Sequence, residues 1–245
     1  MNNTSDLSIG KIARPFSPLA PQIILGTSTC IPIALGYIPV AFAFGVLAAN
    51  GGLPAFFTIG LSIFTYAGSS QFMTLGLIAQ SASFSSIALA TLIINARHLL
   101  MSTAMLKYLR GWTPTERLLF SFEMTDETFV LHSSRPSKST DSKTHIFSTN
   151  VGTHLSWILG STLGYFANSY LPDPSTIGLN FALVAMFIAL LAPLLCEMGK
   201  ISAALLAVGV YTLLQLTPLK DWAVVIAPLV GSIFMGVEDL WLTRR

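Results

Sequence analysis

Charge is what this sequence has least of. Only 10% of its 245 residues are Asp, Glu, Lys or Arg, and between Arg14 and Arg97 there is none. Soluble domains carry about a quarter of their residues as charges, so the low charge, 53% hydrophobic content and mean hydropathy of +0.69 exclude that class. Cysteine is nearly absent too. The two present, Cys30 and Cys196, both lie in apolar runs, which excludes a disulfide framework. A net charge of +2 without a basic stripe gives nucleic acid nothing to bind. No phosphate-binding loop for ATP, no metal-ligand spacing and no cofactor fingerprint is present, so none is expected. The first 20 residues also lack the apolar stretch and small-residue cleavage site of a signal peptide, and read as a retained polar tail.

What is present is apolar and periodic on the scale of a bilayer. Hydrophobic segments run over 22–50, 53–80, 83–106, 147–169, 178–196, 200–217 and 221–242, and about 20 such residues cross a hydrocarbon core of ~30 Å. The expected fold is therefore an all-α, polytopic transmembrane bundle of about seven spans, forming one domain over 21–245. A first half (21–131) and a second (147–243) flank a polar loop, 132–146, whose Arg135, Lys138 and Lys143 place it in the cytoplasm by the positive-inside rule. An eighth apolar segment, Leu118 to Leu131, is interrupted by Glu123, Asp126 and Glu127. It is read as a helix that need not cross, starting at Thr113-Pro114 with Glu116 closing a capping box.

"LPAFFTIGL" at Leu53 and "LPDPSTIGL" at Leu171 agree in six of nine positions, which points to an internal repeat, inverted if an odd number of crossings separates its halves.

The chemistry sits where charge interrupts the apolar runs. In "TLIINARHLLMSTAML", Asn95, Arg97 and His98 fall near the middle of a span, where a cation costs at least about 2.5–3.5 kcal/mol and needs a partner or water. "FEMTDETF" carries Glu123, Asp126 and Glu127 at spacings of three and four, one helix face, and Arg97 is expected to pair with Asp126 or Glu127. Ser69, Ser70 and Gln71 in "AGSSQ" place small hydrogen-bonding groups mid-span, and Pro39 weakens the first helix. Ser69, Ser70, Gln71, Asn95, Arg97 and His98 are the candidate substrate ligands. His98, Glu123, Asp126 and Glu127 are candidates for proton coupling or ion pairing. Gly160 and Gly164 offer a small-residue face for another helix.

Together "GYIPVAFAFGVLA", "YAGSSQF", "NARHLL", "TDETF" and "LPDP…GLNFAL" resemble, in order, the AzlC family, the large subunits of two-component branched-chain amino acid exporters. The resemblance implies export of valine, leucine or isoleucine, with methionine a further candidate, across a bacterial inner membrane, with a small hydrophobic AzlD-type partner for which the Gly160 to Gly164 face leaves room. Ser69 and Ser70 stand where that family usually has small residues such as Ala. The expected activity is secondary transport, not enzymatic catalysis. A channel or a structural membrane subunit is the alternative, separated from it by saturable, ion-coupled flux.

Overall fold

The computed structural model describes residues 19–134, 142–172, 174, 176, 178–182, 184–185, 188, 191–192, 198–219 and 223–242. The N-terminal tail, positions 135–141 of the polar loop and three positions of the second repeat copy (173, 175 and 177) lie outside them. The chain packs as two units divided between Ala182 and Leu183, and not at the polar loop, because the helix after that loop packs along the first helix of the chain.

In the first unit that pair is α1 (Leu19–Asn50) and α7 (Lys143–Ala167). They run parallel: Gly26 lies against His145 and Ser148, Cys30 against Gly152, Ile38 against Gly160, and Gly45 against Ser161. Small residues let the backbones touch, since a Cβ added at Gly160 would sit 2.8 Å from the Ile38 carbonyl oxygen. The stripe expected to receive another subunit is thus filled by α1.

The segment 53–80, expected to be one span, is a helical hairpin. α2 (Ala55–Phe64) runs antiparallel to α7, from Leu53, whose carbonyl accepts from Tyr165 Oη at 2.8 Å, to Ser62 beside His154. The chain turns at Thr65–Ala67, where Tyr66 takes a left-handed φ of 40° at a cost of about 1–3 kcal/mol. α3 (Gly68–Ala79) then returns, so that Leu75 and Ile78 pack with Leu53 and Ala48 at the starting end. At 1.5 Å per residue each arm is only about 15–18 Å long.

A second hairpin opens at the opposite end. α4 (Phe84–Met105), capped by Ser83, runs antiparallel to α1. α5 (Pro114–Phe122) begins with the Thr113–Glu116 capping box, and Glu116 is held by Lys143 Nζ at 2.6 Å, at the start of α7. The chain turns at Glu123–Thr125, and α6 (Asp126–Ser133) folds back so that the His132 ring lies tilted 5.5 Å from Phe120 and meets Asn150 at 2.7 Å. Met105, Leu109, Phe120 and Met124 close a core at this end.

Each of α1–α3 and α4–α6 is a long helix followed by a short hairpin. The offset read from the two Leu-Pro motifs pairs a different set: it places α1 on α7, which are parallel, so a repeat on that offset has halves of the same sense and is not inverted.

The second unit contains α8 (Met198–Gln215) and α9 (Ala223–Leu242), which pack antiparallel, with Gly199 beside Glu238 and Gly231 beside Ala203. Among the described residues, α1 and α4 are long and apolar enough to cross a membrane by length and composition.

The backbone contact of α1 with α7 gives a direct test. Gly164→Ala presses a methyl into the Phe42 carbonyl and should destabilise by about 1–3 kcal/mol in thermal or chemical unfolding. Gly36→Ala, with nothing within 4 Å, should match or exceed the wild type. Equal behaviour of the two variants would contradict the packing.

Candidate functional site

Four helix ends meet in the middle of the first unit, and each leaves backbone groups to be satisfied. The tip of the first hairpin presents the C-terminus of α2 and the N-terminus of α3; the tip of the second presents those of α5 and α6. One residue from each long helix ties the two tips together.

From α4, Arg97 donates through Nη2 to Ser69 Oγ at 2.7 Å and pairs through Nη1 with Asp126 at 3.0 Å. Asn95 donates to Ser70 Oγ at 3.2 Å. From α1, buried Tyr37 donates to Glu127 at 2.5 Å, and its oxygen lies 2.7 Å from the Thr125 hydroxyl. A phenol has a single O–H, so Thr125 is the donor in the second contact. The Tyr37 ring meets Tyr66 edge-on. From α7, His154 stacks on Tyr66 at 3.9 Å, approaches Glu123 through Nδ1 at 3.1 Å and meets the Ser62 carbonyl through Nε2 at 3.0 Å.

The two tips share one local device. Ser70 Oγ donates back to the Ala67 carbonyl at 3.0 Å, and Thr128 Oγ1 donates back to that of Thr125 at 3.2 Å. They differ in capping. Thr125 and Thr128 form a reciprocal box at α6, whereas Ala67 has no side-chain acceptor to offer α3. The α3 N-terminus is therefore the one with amide donors and a positive dipole end uncapped. Beside it, Arg97 Nε and Asn95 Oδ1 are buried without a hydrogen-bond partner among the described residues.

The residues singled out from sequence do not form one cluster. Ser69, Ser70, Asn95, Arg97 and Asp126 come together. Gln71 is fully buried and spent on structure, its Nε2 donating to Ser62 at 3.1 Å and its Oε1 accepting from Trp157 at 2.9 Å. His98, half-buried on α4, makes no hydrogen bond among the described residues. Glu123, Asp126 and Glu127 do not share a helix face, because the chain turns between Glu123 and Asp126. Each takes its own partner: His154, Arg97 and Tyr37.

Tyr37, Tyr66, His154 and Trp157 were not singled out from sequence. His154 carries the same signal as His98, a titratable ring inside an apolar run ("NVGTHLSW"), and Tyr37 sits one residue after Gly36 in the stretch already marked by Pro39. Among the described residues no three His, Cys, Asp or Glu side chains gather as a metal would need.

Comparison with known proteins places this arrangement. The family model described as AzlC protein matches residues 32–171, which hold α1 from Pro32, both hairpins, α4 and α7. A membrane protein of Archaeoglobus fulgidus is 30% identical over 84% of this chain and 90% of its own. The branched-chain amino acid transport protein AzlC of Bacillus subtilis is 29% identical over 73% of this chain and 70% of its own. The inner membrane protein YgaZ of Escherichia coli is 28% identical over 71% and 74%. No solved structure matches. With residues 32–171 carrying the two-hairpin site and membrane proteins matching over most of its length, the chain is a helical membrane protein that belongs to the AzlC family.

Proposed function

We propose that this protein is a secondary transporter that exports branched-chain amino acids (valine, leucine and isoleucine, with methionine a fourth candidate) across the bacterial inner membrane, coupled to protons. The observation that carries the reading is the uncapped α3 N-terminus next to the unpartnered Nε of Arg97 and Oδ1 of Asn95. A zwitterion has a carboxylate for the first two and an ammonium for the third, with Asp126 beside it. Met73, one turn on from Ser69 and Ser70, and Ile94, one turn before Arg97 and His98, are half-buried and apolar, the surface a branched side chain needs.

The hairpins support transport over a structural role. In this reading α1, α4 and α7 cross the bilayer, while the α2–α3 and α5–α6 hairpins enter from opposite faces and stop halfway. Arms of about 12–18 Å reach the middle of a ~30 Å core. Discontinuous helices that meet at the midplane provide both ligand groups and two separable gates. A small AzlD-type subunit cannot use Gly160 and Gly164; α4, with only Met105 buried, has room for one.

Two measurements test this. Valine efflux from dipeptide-loaded cells should require this chain together with its small neighbour; if intracellular valine, leucine, isoleucine and methionine all stay unchanged with both expressed, export is excluded. In the reconstituted protein Arg97→Ala should lower transport at least tenfold, since a hydrogen bond to a charged group contributes about 1.5–3 kcal/mol. Wild-type rates in Arg97→Ala would remove Arg97 from the substrate site.

A further inference from the structure

The substrate site above leaves one titratable pair unused. His154, 7% exposed, stands on α7 between the two hairpin tips. A carbonyl oxygen only accepts, so the 3.0 Å contact with Ser62 requires hydrogen on Nε2. Nδ1 faces both oxygens of Glu123, at 3.1 and 3.2 Å. Turning the ring over would put carbon atoms at both contacts and lose both bonds, so the network itself fixes the orientation. Two lone pairs do not rest against each other at this distance. One proton therefore lies between Nδ1 and the carboxylate, and whichever atom holds it, the pair is neutral overall and the ring keeps its hydrogen on Nε2.

We propose that His154 and Glu123 are the proton-carrying site of this transporter, and that the shared proton decides whether the two hairpin tips are joined. The proposal rests on the transporter reading above and names the group that couples it. With the proton present, His154 clasps the first hairpin through Ser62 and the second through Glu123. When that proton leaves to water, the Nδ1 lone pair faces an ionised carboxylate, the pair carries one negative charge, and the contact opens. Rebinding a proton from the other side restores it.

The groups around the pair fit this role. Tyr66 from the first tip covers one face of the ring, and Phe122 from α5 lies 6.0 Å away. Farther out, Tyr37 meets Tyr66, and Asp126 and Glu127 are the nearest other carboxylates along the chain. Arg97 is the one cation among these groups, and Asp126 already holds it. No strong counter-charge is therefore left to keep Glu123 ionised once its proton on His154 has gone, and the charged state is one the protein leaves by moving.

Glu123→Gln mimics the joined state, because a carboxamide can donate to Nδ1 permanently and cannot release a proton. With full-length protein in proteoliposomes and valine as probe, accumulation driven by an imposed pH gradient should fall in this variant at least tenfold more than valine–valine exchange at equal pH. A loss of folding alone would lower both together. In the wild type, nitrogen-15 NMR of His154 should show the Nδ1 proton lost as pH rises, at a pH that valine shifts. Glu123→Gln with the wild-type ratio of the two rates, or a His154 spectrum unchanged between pH 5 and 9 with and without valine, would overturn the proposal. Wild-type protein that moves no valine in either assay would instead overturn the transporter reading.

Discussion

A helix that stops inside an apolar bundle exposes backbone donors and acceptors that water cannot reach, and the centre of this protein is organised around answering that constraint. The α2 C-terminus is answered by His154 through the Ser62 carbonyl. The α6 N-terminus is answered by Thr125 and Thr128. Of the two helix N-termini at the tips, that of α3 lacks a side-chain cap, and there Arg97 and Asn95 hold atoms unpartnered among the described residues. That end is the one the proposed substrate site uses.

The long helices supply rigidity on which the hairpins depend. α1 and α7 touch backbone to backbone through glycines, and from this fixed pair Tyr37 and His154 reach the tips. Arg97 reaches them from α4. Each bridge joins a residue of the first hairpin to one of the second, and each places a carboxylate of the second hairpin against a different group: a phenol, a guanidinium and an imidazole. Three carboxylates within five residues are tolerable in such a place only because the turn at Glu123–Thr125 sends them in different directions.

Much of this was legible in the sequence. Helical class, membrane environment, the Thr113 cap and the partnership of Arg97 with an acidic neighbour all follow from hydropathy, spacing and the cost of a buried cation. The hairpins were not, because both tips turn without glycine at the bend itself, and an apolar stretch of 28 residues, 53–80, has the length of a span whether or not it doubles back. The error about the carboxylates has the same origin: spacings of three and four place residues on one face only if the helix continues. Gly160 and Gly164 were read correctly as a helix contact but assigned to another chain, since sequence cannot say which helix fills a small-residue stripe.

The central claim, that two hairpins enter from opposite faces and return to the side they came from, is open to labelling from either side of the membrane. Cys30 and Cys196 would first be replaced, and single cysteines placed at the exposed positions Asn50, Gln80, Arg110 and Ser134. In sealed vesicles of known orientation, a membrane-impermeant maleimide should reach Asn50 and Gln80 from one side, and Arg110 and Ser134 from the other. Labelling of Asn50 and Gln80 from opposite sides would make 53–80 an ordinary crossing and contradict the account.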